Sequence, residues 1–485
     1  MPSTSAAPPT IETFNVENVS FTDENITWTS TGKSESSSRH ELVLVREVKS
    51  STESPSHHIL FLLKEDQNNK ENPYRLSILK AKEVPSELHS VTLAELPPHL
   101  KHGYPNEHGV TNQVDVIVSV KSGVGQALRV WQDVLKPLWE SFIDDSGKPQ
   151  YRFIQTYSAE TVRDYARRLW ASEERSKPRK VVLLSGDGGV VDLLNGSDGD
   201  EKPHISPTIA LLPLGTGNAL FHSTHKPLYT EPGPSPLALG LRTLFQGVST
   251  DLPIFRASFS SGSRIVKFTD KVKESPANDP NRVKKEETSI THLQGAIVAS
   301  YGFHASIVYE SDTPEYRVHG DKRFGMVAAE LLKESHPYAA EVSIRRHSSA
   351  TFEEIPREKH AYVLAVLVSN LERTFTISPA TRPLQSQLRL VHFGPIGGDR
   401  TMDVMTKAYD GGKHIGMDWP DGERVGYDEV DEVKISLLES DGRWRKVCID
   451  GTIVEIPEGG NMVIKMLDHG LFKILASPQV LGDHV

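Results

Sequence analysis

Cysteine is almost missing from this chain: Cys448 is the only one in 485 residues. That excludes an internal disulfide framework and any multi-cysteine zinc site, and it fits a reducing compartment. Cys448 itself falls in an expected buried strand, as a structural thiol. Long apolar runs are also missing. Val181–Leu184, Ile209–Leu214 and Ala361–Val368 are typical, and none approaches the ~20 residues that span a bilayer. The start, MPSTSAAPPTIETF, has neither the basic flank nor the apolar stretch of a signal peptide. The expectation is a cytoplasmic chain with no transmembrane segment, reaching any membrane only by transient docking. Positive charge is in deficit. Lys plus Arg is 54 against 64 for Asp plus Glu, a net charge of −10, which argues against a non-specific nucleic-acid binder. The histidines form no H-E-x-x-H or comparable pair, so no histidine metal centre is expected.

What remains is a globular composition, 37% hydrophobic and 24% charged. At about 150 residues per domain, this length predicts roughly three domains. Residues 1–112 read as a β-rich module, with short strands at Glu41–Arg46 and Ile59–Leu63 between polar clusters and no catalytic signal. From Val114 the pattern becomes strand, glycine turn, helix. VDVIVSV (114–120) and KSGVG (121–125) precede a segment, 126–142, that sets Ala127, Val130, Trp131, Val134, Leu135 and Leu138 at helical spacing. A strand over Tyr151–Tyr157 and a helix over Ala159–Ala171 follow, and 180–196 and 208–223 repeat the unit. Alternating β and α elements predict a parallel sheet with helices on both faces, with ligands at the carboxyl ends of its strands. All three glycine turns fall at that edge. This α/β lobe is expected over 113–245. A β-rich, mostly antiparallel lobe is expected over 246–485, with a polar, mobile surface insertion near 269–289. The basic stretch 167–180 reads as a solvated helix end and loop.

One glycine turn is weak evidence, because glycine serves wherever φ must be positive. Three at successive strand ends are harder to dismiss, since exposed amides at a helix start suit phosphate. Neither the P-loop spacing nor a complete G-x-G-x-x-G is present. The second turn, Ser185-Gly186-Asp187-Gly188-Gly189, places a carboxylate between glycines after a buried strand. Phosphoryl transfer needs such a group to orient a hydroxyl and accept its proton, although an Asp there also serves as a helix cap.

SGDGGVVDLLNG (185–196) followed by PLGTGNAL (213–220) resembles the catalytic domain shared by sphingosine, ceramide and diacylglycerol kinases. SVKSGVG (119–125), GFHASIVYESDTPEYRVHGDKRFG (302–325) and CIDGTIV (448–454) extend the resemblance in order from about 114 to 475. The resemblance implies an ATP-holding α/β lobe, a lipid-holding β-rich lobe and a site between them. It makes Asp187 the general base. Ser122, Gly123, Gly125, Thr156, Ser185, Gly186, Gly188, Asp192, Gly215, Thr216, Gly217, Asn218, Asp450 and Gly451 become nucleotide residues, with Arg317 and Arg323 steadying phosphates. Ser306 and Glu310 become lipid-head residues. ATP and Mg2+ are the implied cofactors. Asp192 or Asp450 could contact the Mg2+ arriving with ATP, and no standalone metal site is expected. The implied partner is a lipid at a membrane surface.

The chain departs from the family pattern at Ser119-Val120, Gly189, Asp192, Ser306 and Thr452, and two extra residues near Thr313-Pro314 loosen the match before Arg317. Ser306 stands where sphingosine kinases carry the Asp that meets the lipid's amine. An ammonium in a partly dry pocket needs a carboxylate. Glu310 is left for that task, and were it too distant a neutral head such as diacylglycerol would gain. The expected function is ATP-dependent phosphorylation of a lipid hydroxyl, with a sphingoid base placed ahead of diacylglycerol. A non-catalytic lipid- or nucleotide-binding relative and an NAD kinase-like enzyme stand as alternatives.

Overall fold

A computed structural model describes residues 11–49, 56–66, 68–69, 73–103, 111–143, 151–158, 160–170, 177–196, 205–269, 284–320, 322–347, 349–468 and 470–482. The first unit is a seven-stranded sheet, ordered Lys33–Ser38, Asn25–Ser30, Ile11–Phe21, Tyr74–Ala81, His57–Glu65, Leu42–Val48, Thr92–Leu93. The interior strand His57–Glu65 explains the unbroken run Ile59–Leu63. Leu60 and Leu62 enter a core on one face, while Ile59, Phe61 and Leu63 pack on the other with Trp131, Val134, Leu135 and Phe245. A strand covered on both faces has no polar alternation to show. Arg242 fastens this unit to the next, donating to the carbonyls of His40 (3.0 Å) and Leu42 (2.6 Å).

The second unit holds the glycine turns. Six strands run in the order Val248–Asp251, Lys473–Ala476, Thr208–Pro213, Arg179–Ser185, Gln113–Val118, Arg152–Gln155, all parallel except the first. The expected helix spans 127–140, with its middle turn, Trp131–Leu135, widened to π geometry. All six of its apolar positions named from spacing are buried. The division at 245/246 needs correcting. Strands 248–251 and 473–476 complete this sheet, although they lie in the stretch read as the second lobe. Lys473–Ala476 pairs along Thr208–Pro213, whose amides would otherwise form an open edge.

The third unit consists of two antiparallel sheets, one running through Phe255–Phe259, Asn461–Met466 and Glu432–Leu437, the other through Lys446–Ile449, Val298–Gly302, Tyr362–Val366 and Leu388–Phe393. Helices Phe303–Ser311, Lys322–Glu334 and Gly398–Tyr409 pack in succession beside them. The polar stretch 269–289 also needs correcting: Lys284–Ser289 is a strand paired with Arg264–Thr269. The intervening 270–283, part of the basic stretch (171–176) and the first ten residues lie outside the described residues.

One core spans the second and third units, joining Val190, Leu193 and Leu194 to Leu293, Ala296 and Val298. Asn195 closes the contact with two hydrogen bonds. Its Nδ2 donates to the Gln294 carbonyl (2.9 Å), and its Oδ1 accepts from the Gln294 amide (2.8 Å). The second and third units are therefore joined by a shared core and by these two hydrogen bonds.

Candidate active site

The three turns leave the carboxyl ends of parallel neighbours and lock onto one another. In the first, Ser122 Oγ accepts from the Gly186 amide at 2.8 Å. Gly123 has φ +53° and presses on the third turn, where a Cβ would lie 2.6 Å from the Leu214 carbonyl oxygen. Gly186 and Gly215 meet backbone to backbone: a Cβ on Gly215 would stand 2.3 Å from Gly186 Cα. Only glycine permits that approach. Asn218 takes φ +52° and braces its own turn, its Oδ1 accepting from the Gly215 amide and its Nδ2 donating to the Gly215 carbonyl, both at 2.9 Å.

Asp187 begins the helix Asp187–Leu194, yet its carboxylate caps a different helix. Oδ2 accepts from the Ala219 amide (2.7 Å) and Oδ1 from the Leu220 amide (3.2 Å), at the start of Ala219–His225. The second turn thereby fixes the third. Burial pushes the Asp187 carboxyl up to about 6, although both amides favour its charged form. From the third unit comes Asp450, at φ +46°, accepting from the amides of Ala296 (2.7 Å), Ile297 (3.1 Å) and Val298 (2.6 Å). Burial, with the Asp187 charge adding to it, pushes Asp450 up to about 7.

These groups line a cleft of about 530 Å³. Ser122, Gly123, Gly186, Asp187, Gly188, Asp192, Gly215, Thr216, Gly217, Asp450 and Gly451 all belong to its wall. A smaller recess of about 250 Å³ continues from Ser122, Gly188 and Asp192, and adds Thr156 and Ser185. At Gly188 and Gly451 a Cβ would meet nothing within 4 Å, so both leave free space and an approachable backbone in the cleft. Such amides beside a helix start suit phosphate. Asp192 reaches the wall but is tied to Arg163 Nε at 2.8 Å. Among the described residues, no three His, Cys, Asp or Glu side chains are grouped to hold a metal. Asp187, Asp192 and Asp450 are the carboxylates of the cleft wall.

The cleft opens into a larger chamber of about 970 Å³, lined by Phe303, Ile307, Leu332, Phe375 and Met405 among others. Thr216, Gly217, His304, Val308, Phe324 and Leu371 belong to both walls.

Other expected residues lie elsewhere. Gly125 and Asn218 shape turns and line neither the cleft, the recess nor the chamber. Arg317 is paired with Asp312 (2.8 Å) and donates to the Phe268 carbonyl (2.9 Å). Arg323 lies over the Phe324 ring at 4.8 Å. Neither arginine lines the cleft. Ser306 is buried and accepts from the Tyr338 hydroxyl at 2.9 Å, while Glu310 pairs with Arg443 at 2.8 Å. Both fail to reach the chamber for one reason: positions 306 and 310 share one face of the helix, and 304, 307 and 308 share the other. That i, i+3, i+4 pattern was present in the sequence and identifies the cavity-facing side. Nothing local in the sequence marked Phe324, Leu371 or Phe375, which reach the chamber from separate segments.

Residues 113–243 match the diacylglycerol kinase catalytic domain. No curated protein matches the chain. Three solved Bacillus anthracis structures described as diacylglycerol kinases, two of them only as candidates, are similar at 15–16% identity. Each match covers 76% of this chain and 98% of the other, with TM-scores of 0.46, 0.47 and 0.48. Among the described residues, no helix is long and apolar enough to cross a membrane. With its three interlocked glycine turns and the carboxylate at their centre, the segment 113–243 belongs to the diacylglycerol kinase catalytic-domain family.

Proposed function

We propose that this chain is an ATP-dependent lipid kinase. The observation that carries the reading is that the glycine-walled cleft holding Asp187, suited to phosphates, opens directly into an apolar chamber suited to a lipid tail. In the reaction, the lipid hydroxyl oxygen bonds to the γ-phosphorus of ATP, and the bond from that phosphorus to the β,γ-bridging oxygen breaks. ADP leaves, and the hydroxyl proton passes to the Asp187 carboxylate. Asp187 suits this role because its pKa is about 6, below neutral yet high for a carboxyl. Mg2+ bound with ATP supplies charge neutralisation on the phosphate oxygens.

The acceptor we favour is a neutral glycerolipid, diacylglycerol, ahead of a sphingoid base. Ser306 carries no charge, and Glu310 is occupied by Arg443 away from both cavities. A sphingoid base is the second reading, favoured by Glu372, a carboxylate in the chamber wall. The lipid is taken at a membrane surface by reversible docking. The apolar lining speaks against NAD as acceptor. The test is phosphate transfer from labelled ATP by the purified chain to diacylglycerol, sphingoid bases, ceramide and NAD. Label entering a lipid supports the reading, and label entering NAD alone, or nothing, overturns it. Full activity in Asp187→Ala overturns the base assignment.

A further inference from the structure

We propose that His304 binds and orients the acceptor hydroxyl, through Nε2, at the mouth between cleft and chamber. This inference rests on the kinase reading above and adds a residue to it. Six residues belong to both walls, and only Thr216 and His304 among them carry a polar side chain. A lipid with its tail in the chamber and its hydroxyl near Asp187 must pass this mouth.

The His304 ring is held from behind. Its Nδ1 lies 2.8 Å from Ser300 Oγ, four residues earlier in the middle of the preceding strand, Val298–Gly302. Ser300 is fully buried in that strand, opposite Cys448 in the neighbouring one. The Tyr362 ring flanks the imidazole at 6.3 Å, inclined by 77°. We assign Ser300 as the donor to Nδ1, an assignment that leaves the single hydrogen of the neutral ring on Nε2. The acceptor hydroxyl then has a complete set of partners. Its proton goes to Asp187, one lone pair faces the γ-phosphorus, and the other accepts from His304. Burial pushes His304 down to about 4, below Asp187, so the ring stays neutral and leaves the role of base to the carboxylate.

The test uses the difference between the two ring nitrogens. A glutamine amide reaches the position of Nε2, whereas an asparagine amide reaches that of Nδ1. We compare His304→Gln, His304→Asn and His304→Phe for kcat, the KM of each substrate and thermal midpoint, with diacylglycerol in mixed micelles and ATP. The expected result is a fall of about 10- to 100-fold in kcat/KM for lipid in the Asn and Phe variants. Gln should recover most of that loss, and the KM for ATP should not change. Rescue by Asn and not by Gln would mean that the ring serves only its bond to Ser300, and would overturn the proposal. An active wild type with three indifferent variants overturns it alone, whereas a wild type that phosphorylates no lipid overturns the kinase reading as well. Should His304→Phe lose thermal stability, the Gln–Asn comparison, made between folded variants, still decides.

Discussion

Asp187 and Asp450 come from different units of the chain, and the charge on Asp187 raises the pKa of Asp450 across the cleft. Both are held by backbone amides, and both are pushed above the ordinary carboxylate range by burial. For the proposed chemistry Asp187 must be ionised, and it ionises at about 6. Below that pH it carries a proton and cannot accept another. The kcat/KM for lipid should therefore rise with pH through about 6 and level off above it. Asp187→Asn should lower it by about 10²- to 10⁴-fold and remove this acid limb. A variant that keeps the limb would assign it to another group.

Gly188 and Gly215 predict opposite outcomes. A side chain at Gly188 projects into open cleft, so Gly188→Leu should raise the KM for ATP about tenfold or more while leaving the thermal midpoint in place. A Cβ at Gly215 would sit against Gly186 Cα, so Gly215→Ala can be accommodated only if the turns part. We expect it to cost about 1–3 kcal/mol of stability, measured by urea unfolding. Equal thermal midpoints for the two variants would contradict this account.

Ser306→Asp separates sequence alignment from geometry. The new carboxylate would be buried beside the Tyr338 hydroxyl, not in the chamber. The variant should lose about 1–3 kcal/mol of stability and gain no preference for sphingoid bases over diacylglycerol. Val308→Asp, placed in the shared wall, is the substitution expected to shift preference toward a cationic amine. Competition between the two lipids reads this directly, and a shift in Ser306→Asp with none in Val308→Asp would reverse the assignment of the helix faces.

Five histidines, His222, His225, His304, His360 and His414, are pushed down to about 4 by burial. In the unfolded chain each takes a proton near pH ~6.5. Between that pH and about 4 the unfolded state binds protons that the folded state refuses, so stability falls with falling pH. Asp187 and Asp450 act in the opposite sense, since folding raises their affinity for protons. Among the histidines and carboxyls shifted furthest, five against two predict a net loss. The thermal midpoint should drop on acidification from about pH 6.5 to 4, and His414→Gln should flatten the slope by one proton's share. A midpoint that climbs over this range would refute the balance.

The parallel lobe was legible because its signals are local. A buried strand, a glycine turn and an apolar 3.6-residue spacing each occupy a short window, and the helix at 127–140 buries every apolar position its spacing named. The run Ile59–Leu63 could be read as a strand but not placed, since only packing shows that both its faces are covered. The strand at 473–476 was missed as part of the parallel lobe. Its partner lies more than 250 residues earlier, and pairing at that range leaves no mark in either segment. Ser306 and Glu310 came from aligning positions along the chain. The helix turns its other face to the chamber, and rotation about an axis is not a property of alignment.

By itself the sequence determined which chemistry is available: one carboxylate among glycines, turns that only glycine can form, and one cysteine. Those follow from residue type and steric limits within a few bonds. Tertiary structure decided what that chemistry meets. It set Asp187 against the amides of the third turn, brought Asp450 opposite it from another unit, and gave His304 rather than Ser306 to the shared wall. Those outcomes depend on how distant surfaces pack, which is set by burial summed over the whole chain.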